Sequence, residues 1–137
     1  MKKIWFICAI ILGLGSQLTG QTMVGLSKLE VIAAVKKDHR DFRKDDSVIK
    51  QHYNYLKYVN GSRTKTWIIY FTDGDTCKTS KVICDYSYLD KEVEEIESRY
   101  TRKGEYLWEY QLDSDTIQVE VIKQEWYFTI RETKKTS

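Results

Sequence analysis

Proline is absent from the 137 residues, glycine occurs only seven times, and neither gathers with serine into a linker. Nothing in the chain therefore marks a second domain, an internal repeat or a disordered tail beyond the last residues, Thr133 to Ser137. Histidine is scarce too. His39 and His52 stand in neither a paired-histidine metal helix nor a glycine-flanked serine elbow, so the spacings of common metal and hydrolase sites are missing. Charge of one sign is also lacking: 22 basic side chains face 20 acidic ones, a formal net charge of +2. The run Lys36 to Asp46 mixes both signs closely and reads as a solvated face and loop rather than a polyanion site.

Long apolar runs are confined to the start. Met1-Lys2-Lys3 is followed by the apolar stretch Ile4 to Leu14 and by the small and polar Gly15-Ser16-Gln17-Leu18-Thr19-Gly20, the order expected of a secretory signal peptide. The stretch is shorter than the roughly twenty residues a membrane-spanning helix needs, which argues against a stable membrane anchor. Cleavage is expected after Gly20, with Ser16 as the other position. Cys8 lies in the middle of the apolar run rather than at its end, so it does not read as a lipid carrier. Removal of residues 1–20 takes away Lys2 and Lys3 and leaves basic and acidic side chains in balance, which gives no support for a nucleic-acid partner. Residues 21–137 are long enough for a single α+β domain with its own core.

Ser27 with Glu30 three residues on is a capping box, and Leu26 is placed to staple onto Val31. A helix should follow to about Asp38 with Leu29, Ile32, Ala33 and Val35 as its apolar stripe. From Val48 the chain turns to tyrosines and β-branched residues. Strands are predicted at about 48–59 and 64–72, joined by a two-residue turn at Asn60-Gly61. In the second, Trp67, Ile69 and Phe71 point one way and Ile68 and Tyr70 the other, the pattern of a central strand. Asp73-Gly74-Asp75 reads as a hairpin turn, because the position where a calcium loop needs its glutamate is Cys84. A third strand then runs from Cys77 to Asp85.

Ser87 and Asp90 repeat the capping signature ahead of a second helix, Leu89 to Tyr100, with Gly104 placed to end it. Three alternating runs follow: Tyr106, Trp108, Tyr110 and Leu112; Ile117, Val119 and Val121; Trp126, Phe128 and Ile130. The expectation is an α+β fold in which two helices pack on a mostly antiparallel sheet of about six strands, in the order α-β-β-β-α-β-β-β. Two small sheets facing each other form the alternative.

Cys77 and Cys84 are the thiols left after cleavage, and a pair in an exported protein invites a disulfide. On one continuous strand they would be about 23 Å apart and on opposite faces, whereas a bridge needs its Cα atoms within roughly 7 Å. Either Lys78-Thr79-Ser80-Lys81 folds the segment back, or the thiols stay unpaired. The aromatic surplus is the most informative positive feature. A sheet with one covered face cannot bury every ring, so Tyr53, Tyr55 and Tyr58 are candidates for an exposed ligand face. Cross-strand tyrosine pairs on a solvated face are the plainer reading.

The segments Trp67 to Phe71, Asp85 to Asp90 and Glu125 to Ile130, with Cys77, Tyr100, Gly104 and Trp108, resemble short exported proteins of Bacteroidota that have no assigned function. Gly25 to Val31 resembles the helix-opening motif of small outer-membrane assembly lipoproteins and β-lactamase-inhibitor-like domains, which implies a helix-plus-sheet binding domain. The expected function is an exported, periplasmic or extracellular, non-catalytic domain that binds a protein, peptide or glycan through an aromatic sheet face, with no cofactor and no metal. The alternatives are a small envelope hydrolase or thiol redox enzyme, for which His52 or a cysteine would need an acidic partner in a cleft, and a structural envelope-assembly protein.

Overall fold

Ser27 opens the first helix as its spacing to Glu30 predicts. The Glu30 amide donates to Ser27 Oγ at 3.2 Å and the Ser27 amide donates to Glu30 Oε1 at 3.0 Å, which satisfies groups that a helix start leaves unpaired. Helix α1 spans Lys28–Asp38. The computed structural model describes residues 22–47 and 52–136, so the expected leader, residues 1–20, lies outside the described residues. The buried stripe of α1 differs from the expected one. Val31 and Val35, one turn apart, are buried with Leu26 and Ala34 against them, whereas Leu29 is 80% exposed. A short helix with apolar residues on several sides takes its orientation from the surface it packs on, and here that surface selects Val31 and Val35.

Eight strands follow: β1 (Phe42–Lys44), β2 (Tyr55–Asn60), β3 (Lys65–Phe71), β4 (Cys77–Cys84), β5 (Thr101–Gly104), β6 (Leu107–Leu112), β7 (Asp115–Lys123) and β8 (Phe128–Lys134). Helix α2 (Leu89–Arg99) stands between β4 and β5 after a single 3-10 turn, Tyr86–Tyr88. All strands join one sheet in the spatial order β1-β2-β3-β4-β8-β7-β6-β5, and every neighbouring pair is antiparallel. The α+β class with two helices on an antiparallel sheet therefore holds. Among the described residues the sheet has eight strands rather than about six, the order is α-β-β-β-β-α-β-β-β-β, and a single sheet replaces the two-sheet alternative.

The two additional strands are the edges. β1 lies in the charged run expected to be loop; its three residues pair with Tyr58, Val59 and Asn60. β5 lies between α2 and the first alternating run, and the chain enters it directly through the extended Tyr100 (φ −121°, ψ 164°). Gly104 thus does not end the helix; it closes β5 against Leu107 of β6. Edge strands pair on one side only and tolerate polar residues on both faces, so they carry no alternation to read.

Each half of the chain is a helix followed by four consecutive antiparallel strands, and the halves meet where β4 pairs antiparallel with β8. The order of elements is thus the same on both sides of the β4–β8 pair although no repeat is visible in the sequence. α1 covers Leu56, Tyr58, Trp67, Ile69 and Phe71, while α2 places Ile96 against Trp108, Val119, Val121 and Phe128. Burial of residues such as Ile69 and Phe128 contributes about 1.5–3 kcal/mol each. Inside this core the Trp67 indole N–H donates to Ser80 Oγ at 2.8 Å, and at its margin the Trp108 indole N–H donates to Oε2 of the exposed Glu97 at 2.8 Å.

The connections differ locally from expectation. β2 begins at Tyr55, and part of the strand expected from 48 lies outside the described residues. β2 and β3 are joined by residues 61–64 rather than by two residues. Asn60 Oδ1 accepts from the amides of Thr64 and Lys65, both at 2.9 Å, and Arg63 takes the positive φ of 59°. Asp73-Gly74-Asp75 is the expected turn, with Asp75 at φ 61° and Asn54 Nδ2 donating to its carboxylate at 2.6 Å. Ahead of α2 the capping side chain is Asp85, which accepts from the Ser87 amide at 2.9 Å, not Ser87 itself. Trp126 sits in the β7–β8 turn at 80% exposure rather than in a strand.

Candidate functional site

Side chains alternate across a strand, so each inner strand of this sheet presents one row to the helices and one to the other face. In β2 and β3, Leu56, Tyr58, Trp67, Ile69 and Phe71 are buried beneath α1, and Tyr55, Lys57, Ile68 and Tyr70 are half-buried on the side without helices. The register lines these up. Tyr55 stands opposite Tyr70, Tyr70 opposite Thr79, and Thr79 opposite Thr133. One row along, Lys57 stands opposite Ile68, Ile68 opposite Lys81, and Lys81 opposite Arg131.

An open groove of about 670 Å³ runs over these rows, with Tyr53 and Lys78 at its margin. The Tyr55 and Tyr70 rings lie 6.2 Å apart at a 40° tilt, and Lys81 Nζ sits 5.5 Å from the Tyr70 ring centroid. Burial raises the Tyr70 pKa, and the nearby Tyr53 and Tyr55 add to the rise, so the hydroxyl is neutral at physiological pH. Lys57 Nζ pairs with Asp45 at 3.4 Å, and Arg131 pairs with Glu120 across β7 and β8. Hydrogen bonds from the Ser47 hydroxyl and amide, aided by Lys57, hold the Asp45 carboxyl at a pKa of about 2. Among the described residues no carboxylate lines the groove itself.

The structure divides the three tyrosines singled out in the sequence. Tyr53 is 61% exposed and, with Tyr55, lines the groove; Tyr58 is 5% exposed, packs beside Trp67 under α1, and is no part of an exposed face. Three positions separate Tyr55 from Tyr58, and an odd separation in a strand reverses the face. Tyr70 takes the third place instead. Its parity was legible against Trp67, Ile69 and Phe71, whereas the cations were not, because Lys57, Lys81 and Arg131 meet only through the pairing of distant strands.

Cys77 and Cys84 are free thiols at the two ends of the unbroken strand β4, and no turn folds that segment back. Both are nonetheless buried toward the helix-covered core, not on opposite faces, because the register shifts where Phe71 pairs with Cys77 and Tyr70 with Thr79. That β-bulge inserts Lys78 and resets the alternation. Burial pushes both thiols up to a pKa of about 12, so neither is a thiolate nucleophile at neutral pH. His52 is exposed in a turn.

His39 lies in a second, smaller cavity of about 230 Å³ on the covered side between the helices, with Glu132, Glu92, Glu95 and Arg99. Its ring meets Trp67 edge-on at 4.9 Å, and burial lowers its pKa. Glu132, on β8 opposite Ser80 and Val119, accepts a hydrogen bond from the Tyr110 hydroxyl at 3.2 Å, and burial raises its pKa. Among the described residues no serine, threonine or cysteine lines this cavity. Among the described residues no group of three His, Cys, Asp or Glu is placed to hold a metal ion, and no helix is long and apolar enough to cross a membrane. Comparison with protein-family models, with curated proteins and with solved structures returned no match to this chain.

Proposed function

We propose that this protein is an exported, non-catalytic binding domain, working in the periplasm or outside the cell, whose open sheet face holds a protein, peptide or glycan. Its N-terminal leader pattern supports export. The observation that carries the binding role is the uncovered groove in which Tyr53, Tyr55 and Tyr70 stand beside Thr79 and Thr133 hydroxyls. Rings with a polar tip give large contact area with little loss of side-chain freedom, and a groove of this size lies within the range of about 300–1,000 Å³ typical of ligand sites. The protonated cysteines and the exposed His52 give the hydrolase and thiol-enzyme readings little to build on.

A pull-down from envelope extract with the purified protein as bait, run beside its Tyr53→Ala and Tyr70→Ser variants, tests the assignment. Capture that weakens in both variants, each with an unchanged far-UV spectrum, supports the face; capture that both retain in full overturns it. A monomer in solution separates this reading from a structural assembly role.

A further inference from the structure

We propose that the groove on the open face binds an acidic polysaccharide, a chain of sugar rings carrying carboxylates. This rests on the reading of that face as the binding site and names its ligand class. Among the described residues the groove lining contains four cations, Lys57, Lys78, Lys81 and Arg131, and no acid. Asp45 and Glu120 at the rim pair with Lys57 and Arg131. Lys78 and Lys81 have no ion pair among the described residues, so positive charge is left over inside the groove of a chain whose charges otherwise nearly balance. A polyanion is the complementary partner.

Two further features favour sugar over peptide. β2, β3, β4 and β8 are all inner strands, so the backbone beneath the groove is committed to its neighbours and offers no edge on which a peptide could add as a strand. Recognition there falls to side chains alone. Those side chains form two parallel rows that cross the strands: Tyr55, Tyr70, Thr79 and Thr133 in one, Lys57, Ile68, Lys81 and Arg131 in the next. Residues two apart along a strand are about 7 Å apart and neighbouring strands about 4.8 Å. A flat chain laid along the rows stacks the C–H faces of its rings on the tyrosines, meets the threonine hydroxyls with its own, and turns its acid groups toward the cations.

Isothermal titration of the purified protein with oligogalacturonate, with the same chain methyl-esterified, and with oligoglutamate tests the proposal. The expected result is binding of oligogalacturonate that weakens with added salt, at least about tenfold weaker binding of the ester and of oligoglutamate, and a loss of about tenfold or more in Lys78→Glu/Lys81→Glu. Equal binding of the ester overturns the acidic requirement, equal binding of oligoglutamate overturns the sugar, and no binding of any probe overturns both. In those three outcomes the sheet face itself still stands if the Tyr53→Ala and Tyr70→Ser variants lose capture from envelope extract. Binding of oligogalacturonate that neither the lysine pair nor Tyr53→Ala changes places the ligand elsewhere, and then the reading of the face fails as well. Thermal unfolding at the wild-type midpoint shows that the variants remain folded.

Discussion

On the covered face of the sheet Trp67, Trp108 and Phe128 lie at 7%, 0% and 0% exposure beneath two helices, while on the opposite face Tyr55 and Tyr70 are half-buried among lysines and an arginine. Trp67 and Tyr70 come from the same strand, β3, and its alternation sends them to opposite faces. The indoles on the covered side are held by single acceptors, Ser80 and Glu97. On the open side the Tyr55 and Tyr70 rings lie 6.2 Å apart, with Lys81 Nζ 5.5 Å from the Tyr70 ring centroid. One face thus excludes water beneath the helices while the other carries an open groove, and substitutions at the two should separate stability from the proposed binding.

The largest contrast is expected in reactivity. With pKa values of about 12, Cys77 and Cys84 hold roughly a thousandfold less thiolate at pH 8 than free cysteine. Iodoacetamide should leave both unmodified in the folded protein and label both after denaturation. Peptide mapping that finds them bridged, or labelled without denaturant, would break the picture of a closed core.

Trp108→Ala should lower the unfolding free energy by about 3–5 kcal/mol in a urea titration. Tyr70→Ser should lower it by well under half of that, and equal losses would erase the distinction between the faces. Ser80→Ala strands the Trp67 indole N–H in the core and should destabilise by about 1–3 kcal/mol. The conservative Ser80→Thr retains the acceptor and is the control.

Glu132 is the charged intruder on the covered face. Tyr110 and Arg99 favour its carboxylate but burial outweighs them, so its pKa lies above that of the unfolded chain. The stability linked to its proton is complete below the unfolded carboxylate range and is lost as pH rises through the folded value. Glu132→Gln should therefore raise the melting temperature at pH 7 to 8 and change it little near pH 4. A lower melting temperature at pH 7 would show that the carboxylate is needed there. The smallest stability effect belongs to Tyr53→Ala, within about 0.5 kcal/mol in the same denaturation, even though this substitution is expected to weaken ligand binding.

Much of the local structure was legible. The Ser27 and Glu30 box, the start and end of α1, the body of α2 and the alternation in β3, β6 and β7 all follow from short-range pattern. Elements that pattern cannot see are those that depend on a neighbour: the edge strands β1 and β5, and the choice of Val31 and Val35 over Leu29 and Ile32 as the buried side of α1. At the groove, Tyr53 and Tyr55 were visible as candidates. Tyr58 was misassigned because its type, not its parity, drew attention.

The physical division is between parity and register. Which residues of a strand share a face is a property of the extended backbone, so the sequence alone determined that Trp67 and Tyr70 look opposite ways, whereas the tertiary structure decided that the helices cover Trp67. Which strands lie side by side is decided by packing between segments far apart in the chain. Only the tertiary structure joined β4 to β8, across which Lys81 faces Arg131, and only the bulge at Lys78 turned both cysteines toward the core. The aromatic rows are therefore written locally, and the charge gathered on the open face exists only once β4 and β8 have paired.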